Sequence, residues 1–313
     1  MTEPTMPRSG LVAVAVTPML PRGDVDRESL ATLMDFYVAC RSTGVALLGV
    51  MGEANRMTDR AAKDLIVLAL EALDGRVPVI VGVSDDSLAR VAELSCFAAD
   101  AGAAGVLLQP LRGSAGDRAV AGYFRRAEDA IGVGIPICVQ DFPKASGVQI
   151  SLDAWRMIVD SCSSVQMLKA ESEPGLEKLS AIRSAEESGL RRVTILTGNN
   201  GIHLVQELDR GADGAMTGFA FPDVLARVMQ LFSQGDIDDA ADLFDDYLPV
   251  NRHELRMGIS VRKEILRRRG AMKHSSARYP APELSDHSMD ELTKLLDRLE
   301  RRTGTPIGRI VGV

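Results

Sequence analysis

The sequence predicts an α/β protein, a (β/α)8 TIM barrel of parallel strands with a C-terminal helical extension. Three observations carry this. Eight short apolar runs rich in β-branched residues recur up to Thr217, as the buried strands of a parallel sheet do. The stretches between them have helical periodicity. Several runs also follow a similar turn, Ser42-Thr43-Gly44-Val45, Asp100-Ala101-Gly102-Ala103 and Arg210-Gly211-Ala212-Asp213, a weak internal repeat of strand–helix units. A doubly wound open sheet commonly carries G-x-G-x-x-G after its first strand; here that strand runs into Thr17-Pro18-Met19-Leu20.

The first strand is expected at residues 11–16. The helix after it has Asp26 as its cap, and Leu30, Leu33, Met34 and Tyr37 form one apolar face. The second strand, residues 45–50, leads to a helix capped by Thr58, with Leu65, Leu68 and Ala69 on its inner side. Strands at 77–83, 105–109 and 135–140 follow, and Ser151 caps the helix of Trp155. Strands at 165–169, 193–197 and 214–217 complete the set. After Pro222 only helical stretches remain, at about 236–248, 254–269 and 289–302. The chain thus divides into a barrel of residues 8–230 and a helical extension of residues 231–313 packed on it without a flexible linker.

With 313 residues, 46% of them hydrophobic and 25% charged, the chain can bury a large core. A net charge of −7 argues against nucleic acid as a partner. Arg267-Arg268-Arg269 and Arg301-Arg302 read as solvated helix faces, since Glu264 and Glu300 accompany them. No apolar run reaches the ~18 residues of a membrane helix, and residues 1–10 lack the signature of a signal peptide. Cys40, Cys96, Cys138 and Cys162 are far apart, as suits reduced thiols in a cytoplasmic protein. His203, His253, His274 and His287 are equally scattered, so no metal site is expected.

In such a barrel chemistry sits at the C-terminal strand ends. Reading those ends finds one amine nucleophile, Lys169, which closes the apolar run Val165-Gln166-Met167-Leu168. A poorly solvated amine favours its neutral form and can attack a carbonyl to form a Schiff base; the plainer alternative is a lysine reaching solvent along its stem. No Ser/His/Asp set and no paired carboxylates are placed for hydrolysis. Glu171 lies two residues on, hence on the same strand face, where a carboxylate could orient the ammonium or take a proton. Asp141 has the parity opposite to Gln140 and should face the helices.

Taken in order, these landmarks resemble the dihydrodipicolinate synthase and N-acetylneuraminate lyase family of Schiff-base aldolases, from about Gly10 to Pro280. They are Thr17-Pro18, the turn from Gly49 to Glu53, Gln109-Pro110, Gln140 to Pro143, Gly147-Val148, Lys169, Gly198-Asn199 and Gly211 to Gly214. The resemblance implies that Lys169 forms an imine with pyruvate or another 2-oxo acid. It further implies that Gly49, Val50, Met51 and Gly52 hold the substrate carboxylate through backbone amides, and that the backbone of Met216 faces the bound acid. Gln140 and Thr217 would line the pocket, and Arg112, on the loop Gly113-Ser114-Ala115-Gly116, could receive a distal carboxylate. No metal or organic cofactor is implied, and the protein is expected to be a homo-oligomer, a dimer or tetramer.

Departures from the family pattern matter. Two hydroxyl residues of the first turn are Val50 and Met51 here, and the proton-relaying tyrosine falls at Gln140. An amide cannot serve as general acid or base. The synthase branch's second tyrosine falls near Arg112, and its substrate-binding arginine falls at Ala145. The expected function is a lyase or aldolase of pyruvate-like 2-oxo acids, with Lys169, Gln140 and Glu171 as its catalytic set. Two alternatives stand: a non-catalytic 2-oxo-acid-binding barrel, and a true 4-hydroxy-tetrahydrodipicolinate synthase with a rebuilt proton relay.

Overall fold

Eight parallel strands close into a barrel, each paired with its neighbours in sequence and β8 returning to β1. The computed structural model describes residues 5–132, 134–281 and 283–312. The strands are β1 (Gly10–Val14), β2 (Gly44–Leu47), β3 (Val79–Gly82), β4 (Gly105–Leu108), β5 (Ile137–Asp141), β6 (Val165–Ala170), β7 (Thr194–Thr197) and β8 (Gly214–Thr217). Around them lie α1 (Arg27–Ala39), α2 (Asp59–Leu73), α3 (Leu88–Asp100), α4 (Asp117–Ile131), the single turn α5 (Pro143–Ser146), α6 (Leu152–Ser161), α7 (Gly175–Glu187), α8 (Leu204–Asp209) and α9 (Pro222–Gln234). The extension is α10 (Ile237–Met257), α11 (Ile259–Arg268) and α12 (Asp286–Thr303).

The strands are buried on both faces, which is why they read as continuous apolar runs. Inward positions, among them Val12, Ala46, Ile80, Leu107, Cys138, Met167, Leu196 and Met216, fill the barrel interior, with Met6 packed among them. Outward positions such as Leu11, Val45, Val81, Val106 and Ile195 join the helices in one larger core. Asp26, Thr58 and Ser151 cap α1, α2 and α6 as their positions suggest, each side chain accepting from the backbone N–H three residues on.

Three details differ from the sequence reading. The boundary at residue 230 falls inside α9, the helix that follows β8, so the extension begins at α10. The first helix of the extension does not stop at Leu248: α10 runs through Pro249 to Met257, where Gly258 in positive φ breaks it. A proline removes a helix hydrogen bond and usually ends the segment, but here Phe244, Tyr247, Val250 and Asn251 keep one buried face continuous. Finally, Arg269 does not belong to a solvated face. It is buried, donates from both Nη atoms to the Asp223 carboxylate at 2.8 and 2.9 Å, and lies over the ring of Phe221. Asp223 also accepts from the backbone N–H of Val311, so one carboxylate joins α9, α11 and the C-terminal tail.

On α8, the half-buried Glu207 keeps one carboxyl oxygen, Oε2, closed off from solvent. Burial pushes Glu207 up to about 7; a hydrogen bond with Thr197 opposes this and the charge of Glu171 adds to it. Among the described residues its Oε2 has no hydrogen-bond partner. The folded-state value lies above that of a solvated glutamate. Its contribution to stability is therefore complete below the unfolded value and lost as pH rises through the folded one.

Two outcomes are expected. Asp223→Ala strands a buried guanidinium and should cost about 3–5 kcal/mol, seen as a lower midpoint of urea unfolding; an unchanged midpoint would mean the pair is not holding the extension. Glu207→Gln should gain melting temperature relative to the parent at about pH 8 but not at about pH 5. Equal effects at both values would show that this carboxyl does not titrate between them.

Candidate active site

Alternation along β6 turns Met167 and Lys169 inward. Lys169 stands one layer above the apolar interior, beside its register partners Gln140 on β5 and Leu196 on β7. It is 5% exposed. The ladder continues one step past β6, the backbone N–H of Glu171 donating to the Asp141 carbonyl at 3.0 Å. Glu171 therefore keeps the parity of Lys169, and its Oε2 lies 3.0 Å from the lysine Nζ.

Two further donors hold that carboxylate. Gln140 Nε2 donates to Oε2 at 2.7 Å, and the backbone N–H of Asn199 donates to Oε1 at 3.3 Å. Asn199 Nδ2 donates to the Glu171 carbonyl at 3.2 Å. Gln140 in turn accepts from Gln109 Nε2 through Oε1 at 3.0 Å. A row of polar side chains thus crosses the barrel mouth, Gln109 to Gln140 to Glu171 to Lys169. Glu171 has room because residue 198 is glycine: a Cβ there would overlap the Glu171 Cγ and carboxylate. Glu171 is the ionisable group of this row next to the lysine, since both glutamines are neutral amides at any pH.

The turn Val50–Gly52 forms the other wall. It is tied to the segment that follows β1 by Thr17, whose Oγ1 donates to the Gly52 carbonyl at 2.7 Å. The amide of Gly52 is used within the turn, donating to the Gly49 carbonyl at 2.9 Å, so this part of the expected carboxylate cradle is already engaged. The amides of Val50 and Met51 open the turn, where backbone N–H groups find no partner within it. Met51 packs against the barrel interior and Val50 is 48% exposed over the mouth.

Two cavities meet there. One of about 60 Å³ is bounded by Lys169, Glu171, Gln140, Val50, Met51 and Thr217. The other, about 550 Å³, shares Val50 and Gln140 with it and opens toward Gln109, Lys63, Asp85 and the exposed Arg112. The structure therefore brings Lys169, Gln140, Glu171, Val50, Met51 and Thr217 together and sets Arg112 at a distance, in the larger cavity. Met216 is buried in the barrel interior, its side chain below the site. Asp141 faces outward and pairs with Lys178 of α7, as its parity requires. Cys40, Cys138 and Cys162 are buried and Cys96 is exposed; all are free.

Sequence reasoning assigned no role to Gln109, although its inward parity with Leu107 carried the information. It also missed that Arg262 and Leu255, from the extension, line the small cavity; nothing local marks them. Among the described residues no helix is long and apolar enough to cross a membrane.

The likeness to known proteins covers nearly the whole chain. L-2-keto-3-deoxyarabonate dehydratase of Azospirillum brasilense is 32% identical over 96% of this chain and 97% of its own. A solved dihydrodipicolinate synthase from Rhodopseudomonas palustris superposes with a TM-score of 0.92 and 38% identity, covering 94% of this chain and 99% of that one. Escherichia coli YagE, solved with pyruvate, shares the fold with a TM-score of 0.86 at 23% identity, over 93% of this chain and 98% of its own. The model of the dihydrodipicolinate synthetase family matches residues 7–299, and the chain belongs to that family.

Proposed function

We propose that the protein is a Schiff-base-forming lyase acting on a 2-oxo acid, with Lys169 as nucleophile and Glu171 as the group that moves its protons. The supporting observation is the buried Lys169–Glu171 pair at 3.0 Å in the barrel mouth. Glu171 accepts a proton from the Lys169 ammonium, and the neutral amine adds to the carbonyl carbon C2. Glu171 then gives that proton to the departing hydroxyl, and loss of water leaves a protonated imine, which draws electrons from C3. Removal of a C3 proton by the carboxylate then gives an enamine.

From the enamine, departure of a hydroxide from C4, protonated as it leaves, is a dehydration. Cleavage of the C3–C4 bond, with loss of the C4 hydroxyl proton, is an aldol cleavage and proceeds directly from the imine. The similarity to a 2-keto-3-deoxy acid dehydratase supports the first of these and a 2-oxo-3-deoxy sugar acid as substrate. The small cavity suits the 2-oxo acid head, with the amides of Val50 and Met51 toward its carboxylate, and the larger one suits a hydroxylated tail near Arg112. Gln140 orients Glu171 rather than exchanging protons itself. A synthase of the lysine pathway fits less well, because Gln140 and Ala145 stand where that branch carries a tyrosine and an arginine. A barrel that only binds the acid has no use for a carboxylate held against the lysine. The reading includes a homo-oligomer, as the family resemblance implies, and a cytoplasmic setting, which the four free cysteines suit.

Pyruvate with borohydride should leave one reduced adduct, mapped by peptide mass spectrometry to Lys169 and absent from Lys169→Ala. An adduct on a different lysine, or none with any 2-oxo acid, would sink the proposal. Glu171→Gln should still be trapped after long incubation while deuterium exchange at the pyruvate methyl slows by ~10²–10⁴, the usual contribution of a general acid–base group. Exchange at the parent rate would assign the proton transfer to some other group.

A further inference from the structure

The strands fix one side of Glu171; its other side depends on the turn Asn199–Gly201, and that turn is not held by the barrel alone. Asn199 and Asn200 both have positive φ, 50° and 58°. Non-glycine residues occupy this region in succession only where their surroundings over-determine it.

Those surroundings come from the extension. Arg262 Nη2 donates to Asn200 Oδ1 at 2.6 Å, and Asn200 Nδ2 donates to Glu254 Oε1 at 3.0 Å. Asn251 Nδ2 donates to the Asn200 carbonyl at 2.8 Å. Arg262 Nε reaches Glu254 Oε1 at 2.7 Å, and Glu254 Oε2 accepts from the backbone N–H of Ala220 at 3.0 Å. All four side chains are buried. Residue 218 is glycine beneath them, and a Cβ there would overlap the Arg262 guanidinium. On the same helix, Lys263 pairs with Glu53, which caps the turn on the opposite side of the mouth.

A buried ion pair is a poor source of net stability, since apolar residues of equal volume often do as well. Asn251 Oδ1 has no partner among the described residues, but the bonds that link Arg262, Glu254 and Asn200 close on one another and fix one arrangement of the turn. Here that arrangement points the backbone N–H of Asn199 at Glu171 Oε1. We propose that Arg262 is a positioning residue, acting through Asn200 and the Asn199–Gly201 turn to hold the Glu171 carboxylate in line with Lys169. The proposal rests on the roles given above to Lys169 and Glu171.

The test is Arg262→Lys, which keeps the charge beside Glu254 but lacks the planar fork that spans Glu254 and Asn200. Two readouts separate the steps: borohydride-trapped adduct with pyruvate, and deuterium exchange at the pyruvate methyl. The adduct on Lys169 should persist within about twofold while exchange falls on the order of 10²-fold, the cost of slight misplacement of a reacting group. In a Glu171→Gln background Arg262→Lys should slow exchange no further. Asn200→Gly, which tolerates positive φ and deletes the arginine's acceptor, should reproduce the phenotype and covers the case in which Arg262→Lys does not fold. Unchanged exchange, equal loss of adduct and exchange, or a full additional slowing on Glu171→Gln would each overturn the proposal. Absence of any adduct in the parent would instead overturn the Schiff-base reading beneath it.

Discussion

An ammonium and a carboxylate 3.0 Å apart, both nearly without solvent, set the terms for the upper half of this barrel. Two ions taken out of water are costly unless every remaining lone pair and proton finds a partner. The neighbours of Glu171 follow from that demand. Gln140 and the Asn199 amide satisfy the two oxygens, and Gln109 fixes which way the Gln140 amide faces. Gly198 leaves the carboxylate its space. Below, the interior stays apolar through Met167, Leu196 and Met216, so nothing competes for the lysine from that side.

The same constraint explains why the extension is built into the barrel and not merely appended. Its helices send Arg262 to Glu254 and Asn200, Lys263 to Glu53, and the residue following α11, Arg269, to Asp223. Each of these cations is buried and meets a loop or helix at the strand C-terminal end. Charge placed this way fixes orientation where apolar packing would allow sliding, since an ion pair has one geometry and a hydrophobic contact has many.

The fold was legible because its signals are local. Eight apolar runs, three capping side chains and the parity of residues 169 and 171 are all visible within a few positions of chain. The proposed nucleophile, Lys169, was legible for the same reason, being a polar residue at the end of an apolar strand. What was not legible depends on distance in sequence. Asn200 and Arg262 are 62 residues apart, and no pattern in either segment announces the contact. Arg269 was misread because a run of arginines resembles a solvated face until α9 supplies Asp223 from 46 residues away. The helix expected at about 236–248 was read too short, since packing of α10 carries it through Pro249. Glu207 gave no hint either, for a lone acidic residue on a short helix looks like any surface carboxylate.

The two cavities differ about ninefold in volume, roughly 60 against 550 Å³, and share Val50 and Gln140 in their walls. In the proposed reaction this makes the protein strict at one end of its substrate and permissive at the other. The small chamber is walled around the reacting end by buried side chains, Lys169, Glu171, Gln140 and Thr217, so one extra methylene there meets atoms that cannot give way. The large one is bordered by exposed side chains, where alternative stereochemistry or chain length costs little more than rearranged water. Such a protein would be expected to accept a family of related acids differing far from the reacting carbon. Selection could retune its preference by changing surface loops while leaving the chemistry at Lys169 untouched.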